Sequence, residues 1–209
     1  MSSDPTTTAK RWWQRVRTTG KAVLMPALAA RSLTGGGAAW SRPLLAAQVF
    51  SWGGDVALIG RTRGRFLAGL GSFLVAQVAY VCTYRARCSA PVLGTRGRRL
   101  FLLTGGLAAA GMGWAAARED PASGMPVAAY GVTLSAMVAT AAAIDHDRGR
   151  SQVLAGAGLF FVSDTLIGVR RFLCGDRAPV LEGAIAATYA TGQWCISQGL
   201  RERSRAEAA

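Results

Sequence analysis

Residues 66–84 read Phe66-Leu-Ala-Gly-Leu-Gly-Ser-Phe-Leu-Val-Ala-Gln-Val-Ala-Tyr-Val-Cys-Thr-Tyr84, without a charged side chain between Arg65 and Arg85. As a helix rising 1.5 Å per residue this run is about 28 Å long, close to the thickness of a bilayer's hydrocarbon layer. A strand reading fails, because alanine is depleted in strands and the run is about twice a barrel strand's length. Five further runs have the same character: 43–60, 100–117, 124–144, 151–169 and 178–200. All are rich in Gly and Ala, which let membrane helices approach where no hydrophobic effect drives them together. The expected fold is all-α, a polytopic membrane helix bundle of six long spans. A seventh, short apolar segment at 22–30 contains Pro26 and is stopped by Arg31 and Gly35-Gly36-Gly37, for seven helices in total.

The rest of the chain divides around that bundle. Residues 1–20 form a basic segment in which Trp12, Trp13 and Val16 alternate with Lys and Arg, as in an interfacial helix. It is not a cleavable signal peptide, since the basic region is long and no adequate apolar region with a small-residue cleavage site follows. Residues 21–200 read as one membrane domain and 201–209 as a basic tail.

The 209 residues are 51% hydrophobic and only 17% charged, with a mean hydropathy of +0.25, which excludes a disordered chain. A net charge of +13 would suggest nucleic acid on a soluble protein. Here the basic residues sit in clusters between apolar runs: Lys10 to Arg17, Arg61 to Arg65, Arg96 to Arg99, and Arg201 to Arg205. That pattern is membrane punctuation, so no nucleic-acid partner is expected. With six spans crossing, 17 of the 24 basic residues fall on the side that holds both termini. Were 22–30 to cross as well, the basic residues would divide evenly. The bias favours a multi-pass protein of the cell membrane with a cytoplasmic C-terminus and 22–30 half-inserted or thinly spanning. Four Cys make no disulfide framework.

Most of the eleven acids lie in loops or tails; Asp55 and Asp164 do not. An ionised carboxylate at membrane depth costs a few kcal/mol or more, so each must face the bundle interior, hold a proton or find a partner. Two carboxyls with separated proton affinities suit acid/base work. The structural alternative is that each caps a broken helix or binds Ser and Tyr hydroxyls for packing. Glu182, Tyr189 and Gln193 share one face of the last helix by spacing, and Phe73, Gln77, Tyr80 and Tyr84 form a similar stripe. Tyr130 stands alone on the fourth long span. The single histidine, His146, lies in Asp145-His146-Asp147 and reads as a solvated loop cluster. No phosphate-binding loop, nucleophile elbow or metal-binding His-Glu-x-x-His occurs, so neither metal nor cofactor is expected.

The ordered set Lys21-Ala-Val-Leu-Met-Pro26, Phe50-Ser-Trp-Gly-Gly-Asp55, Gly69-Leu-Gly-Ser-Phe73, Pro126-Val-Ala-Ala-Tyr130, Ser135-Ala-Met137, Phe161-Val-Ser-Asp164 and Thr188-Tyr189 resembles the YhhN-type membrane proteins, the lysoplasmalogenases. The resemblance covers 21–200. It implies an all-helical membrane hydrolase that cleaves the vinyl ether bond of lysoplasmalogen to a fatty aldehyde and a glycerophospho-alcohol, using lipid taken from the bilayer. On this reading Asp55 and Asp164 are catalytic. Gln77, Tyr80, Tyr130, Ser163, Tyr189 and Gln193 contact substrate, and Lys21 meets its phosphate. Two rivals use buried carboxylates differently. An intramembrane aspartyl protease is disfavoured because Gly-Gly-Asp55 and Pro26-Ala-Leu28 stand in the wrong order. A small transporter or proton relay would predict internal repeats or matched broken helices, and no convincing repeat is visible.

Overall fold

Arginines end the apolar runs, and the helix boundaries follow them. In the computed structural model, which describes residues 25–28, 30, 42–60, 62–174 and 179–206, six long helices occur in order. They are α1 (Arg42–Leu58), α2 (Arg63–Arg85), α3 (Arg96–Glu119), α4 (Pro121–Ala141), α5 (Arg150–Val169) and α6 (Pro179–Ala206). A π-helical segment, Arg170–Cys174, prolongs α5. No strand occurs among the described residues. The starts are capped as the sequence allows. Thr62 and Thr95 accept the amide N–H of Arg65 and Arg98, and Asp120 accepts that of Ala122, satisfying donors a helix N-terminus otherwise leaves open. Gly149 precedes α5 with φ +74°, a conformation that costs glycine little.

A helix stands at each of the six expected spans. Four of the elements are long and apolar enough to cross a membrane: α2, α3, α4, and α5 with its extension to Leu173. The count of six therefore holds for helices rather than for full-length spans. Helix α1 has 17 residues, and α6 carries Glu182 in its first turn. On α3, Leu103, Leu107 and Trp114 are each more than 60% exposed. An apolar face this open suits lipid rather than water. Of the short segment, 25–28 and 30 are helical, and Met25 and Leu28 are buried in the main core. Residues 1–20 and 207–209 lie outside the described residues.

Consecutive helices pack as three hairpins, α1 on α2, α3 on α4 and α5 on α6; α2 lies against α4, and α4 against α5. The tightest seam is between α5 and α6. A β-carbon on Gly156 would stand 2.6 Å from the Gly192 carbonyl oxygen, and one on Gly192 would stand 2.9 Å from that of Gly156. Only glycine permits this approach, which replaces the missing hydrophobic drive with backbone contact.

The chain alternates between two ends. The upper end is tied by an Arg63–Asp120 ion pair of 2.8 Å and by Arg65 Nε donating to the Ala57 carbonyl. At the lower end the Ser89 hydroxyl donates to Asp145 at 2.6 Å, and Arg87 donates to the Leu200 carbonyl at 2.9 Å. Large, fully buried side chains fill the lower half: Tyr80, Tyr84, Met137, Ile144, Ile196 and Leu200.

Candidate active site

Helix α1 buries Gln48, Ser51 and Asp55, which recur at i, i+3 and i+7 and so share one face. Across the bundle, α6 presents Tyr189 and Gln193 from its buried side. The Tyr189 hydroxyl donates to Asp55 Oδ2 at 2.7 Å, and both residues are buried. Four residues further along α6, Gln193 Oε1 accepts the Tyr80 hydroxyl of α2 at 2.7 Å. Side chains, not backbones, thus join α6 to α1 and α2. Phe73 and Phe160 lie against the Tyr189 ring at centroid distances of 6.3 and 5.5 Å. Their apolar surface excludes water, and a hydrogen bond to a carboxyl group gains strength there.

Asp164 projects from α5 toward α4, where the Tyr130 hydroxyl donates to its Oδ2. It is half-buried, whereas Asp55 is only 2% exposed. Thr133, one turn below Tyr130, donates to Gln77 Oε1 at 2.6 Å and brings α2 into the same network. Tyr130 and Tyr189 each lie within electrostatic range of both Asp55 and Asp164. The result is two neighbouring Asp–Tyr pairs on four different helices.

A cavity of about 860 Å³, part of it continuous with the exterior, runs along this site between α2, α3, α4 and α5. Its walls are almost wholly apolar, including Leu70, Phe73, Met112, Leu134 and Phe161. Tyr130 and Asp164 interrupt that surface, and Arg171 lines it as well. Asp55 does not line it and stands behind the wall with Tyr189. The backbones of α3 and α5 come together chiefly at the π-helical segment.

The residues singled out from sequence are therefore placed unevenly. Asp164 and Tyr130 reach the cavity; Asp55, Tyr189, Tyr80, Gln193 and Gln77 form the buried network beside it. Ser163 is buried and donates to the Ile185 carbonyl at 3.1 Å, which ties α5 to α6 and points away from a substrate role. Lys21 lies outside the described residues. Glu182, on the Tyr189 face by its spacing, pairs with Arg170 at 2.7 Å near the upper end. Gln48, Ser51, Thr133 and Arg171 were missed, although the i, i+3, i+7 spacing of Gln48, Ser51 and Asp55 was a readable signal. Among the described residues, two buried atoms deeper in the network, Gln193 Nε2 and Tyr84 Oη, carry no hydrogen bond to another protein group. Among the described residues, no three His, Cys, Asp or Glu side chains converge as metal ligands.

Comparison with known proteins supplies a family. The family model described as "YhhN family" matches residues 16–200. A protein named lysoplasmalogenase from Mycobacterium bovis is 34% identical over 139 residues, covering 64% of this chain and 50% of the relative. A lysoplasmalogenase from Mycobacterium tuberculosis matches with the same identity and coverage. The chain thus spans about half the length of the curated relatives it matches. No solved structure matches it.

Proposed function

The chain belongs to the YhhN family, and from that membership we propose that it is a membrane hydrolase of vinyl ether lipids of the lysoplasmalogen type. The observation that carries the reading is the Asp164–Tyr130 pair set in the wall of an otherwise apolar cavity. An apolar cavity within a helix bundle accepts a single alkyl chain, and one carboxyl group on its wall meets the one polar bond in that chain.

A vinyl ether breaks when its β-carbon takes a proton, giving an oxocarbenium ion. Water adds to that cation, the hemiacetal loses a proton and collapses, and a fatty aldehyde and an alcohol leave. One water is consumed, and the acid is restored when the released proton returns to it. Asp164 is the proton donor in this scheme because it alone of the two carboxyl groups faces the cavity. Tyr130 fixes its orientation. Asp55, held by Tyr189, is the second carboxylate and favours the cation electrostatically from behind the wall, while the proton released by the added water passes to Asp164 and restores the acid. The logic parallels glycoside cleavage, in which one carboxyl protonates and another stabilises an oxocarbenium ion.

The excess of basic residues in the loops of the lower end supports a cytoplasmic position for that end. The upper end, with the cavity and both carboxyl groups nearer to it, then faces outward. The test is hydrolysis of a 1-alkenyl lysophospholipid by the purified full chain in D2O. Aldehyde carrying one deuterium on the former β-carbon is expected. Failure to release aldehyde from any 1-alkenyl lysolipid refutes the proposal.

A further inference from the structure

Among the described residues that line the cavity, Arg171 is the one cation. The two arginines of the π-helical segment differ sharply. Arg170 is paired with Glu182 at 2.7 Å. Arg171 is exposed, with its guanidinium 3.9 Å from the centre of the Phe66 ring and 5.7 Å from that of Phe172. Stacking of this kind holds a guanidinium in place while leaving its N–H edge open to an anion. The segment ends a helix of membrane-spanning length, so Arg171 sits at the depth of lipid phosphates. Seven residues separate it from Asp164, which places it about 10 Å further along the same helix face. In a 1-alkenyl lysophospholipid, about seven covalent bonds lie between the vinyl β-carbon and phosphorus, an extended reach of about 8 Å.

We infer that Arg171 is the phosphate-binding residue of the site: it takes the phosphodiester of a single-chain lipid whose ether bond lies at Asp164, and so selects phospholipid over neutral ether glycerides. The identity of that lipid rests on the hydrolase reading; the anion site itself does not. Phe66 and Phe172 are positioning residues that hold the guanidinium in the cavity lining. An aliphatic cation such as lysine would lose the flat stacking and the two-pronged contact with phosphate oxygens.

Binding separates this inference from the chemistry. The probes are 1-O-hexadecyl lysophosphatidylcholine and 1-O-hexadecylglycerol, saturated ethers that the enzyme cannot cleave, titrated into the full chain in nanodiscs. The wild type is expected to bind the phosphate-bearing probe at least about tenfold more tightly, a difference of about 1.4 kcal/mol. Arg171→Gln should abolish that preference while leaving affinity for hexadecylglycerol unchanged, and Arg171→Lys should restore only part of it. A preference that survives in Arg171→Gln, or that is absent from the wild type, overturns the assignment. Equal loss of both probes would make Arg171 structural and overturn it too. Inorganic phosphate competing as well as the lysolipid would make this a free-anion site and refute the lipid assignment. If the preference follows Arg171 but no 1-alkenyl lipid is hydrolysed, the lipid site stands and the hydrolase reading falls.

Discussion

Asp164→Asn separates chemistry from architecture more cleanly than any other change to this chain. The substitution is isosteric, and its amide oxygen still accepts the Tyr130 hydroxyl, so the contact between α4 and α5 survives. With Asp164 in its protonated, proton-donating form the bond is neutral before and after the exchange, so the cost in stability is at most about 1 kcal/mol. The loss of activity should be far larger. An amide has no proton to give to carbon, and a positioned general acid contributes about 10²–10⁴-fold, or about 3–5 kcal/mol of barrier. The assay is aldehyde release from a saturating 1-alkenyl lysolipid by purified protein, with the melting temperature measured on the same sample. Turnover should fall at least about a hundredfold with a melting shift of only a few degrees. Tyr130→Phe, which keeps the acid but loosens its aim, should fall between the two. Turnover in Asp164→Asn within about threefold of wild type, at unchanged melting temperature, would remove Asp164 from the mechanism and with it the assignment of the proton donor.

Three other outcomes follow from the same geometry. A double-mutant cycle on Tyr189→Phe and Asp55→Asn, read by unfolding in mixed micelles, should give a coupling of about 1.5–3 kcal/mol for an ionised acceptor and about 0.5–1 for a neutral one; a value near zero would deny the 2.7 Å bond. Gly156→Leu should destabilise the α5–α6 hairpin by about 1–3 kcal/mol through overpacking, whereas Gly158→Leu, which meets nothing within 4 Å, should be tolerated; equal effects in thermal unfolding would contradict the close seam. The Ser89 hydroxyl, then its N–H, and more weakly Arg148 hold the Asp145 carboxyl below its ordinary 3.8, so its stabilising contribution is present above that pH and is lost as pH falls through the lowered value; Asp145→Asn should flatten the acid limb of a stability profile, and an unchanged limb would refute this.

The helices were legible because the bilayer imposes a simple rule: a run without charges must satisfy its own backbone, and only a helix does so within one segment. Boundaries were legible for the same reason, since Arg63, Arg85, Arg96 and Arg150 mark helix ends. What spacing could not deliver was facing. Glu182 has the heptad relation to Tyr189, yet it lies at the helix start, where Arg170 from the neighbouring π-helical segment reaches it. Ser163 adjoins Asp164 in sequence but points to α6, because neighbours on a helix diverge by about 100°. Asp55 and Asp164 were both singled out by cost, since an acid in an apolar run needs a reason. That one reaches the cavity and the other stands behind its wall depends on which helices flank each, and nothing in a single run encodes that. Arg171 escaped notice because it reads as one more terminal arginine until Phe66, more than a hundred residues earlier, is seen under it.

The division of the bundle into a hollow half and a filled half bears on the choice between hydrolase and transporter. A transport path must reach both ends, so the buried carboxyl groups of a relay should have openable space on either side. Here the cavity runs from Arg171 past Asp164 down to Gly105 and Ser135, near the middle of the bundle. Below, Tyr80 and Tyr84 stack at 5.8 Å, with Met137, Ile144, Ile196 and Leu200 buried around them. Interiors packed like this resist deformation, and opening a path through them means breaking the Tyr80–Gln193 bond and separating several large side chains at once. A lipid hydrolase needs none of this. Its substrate enters from the bilayer side, its cleaved bond stops at the acid, and the rigid floor keeps Asp55 and Tyr189 in register behind the wall. On the proposed mechanism this rigidity would let the buried network act by position: the second carboxyl can favour a cation at a fixed point only if neither moves when the alkyl chain arrives.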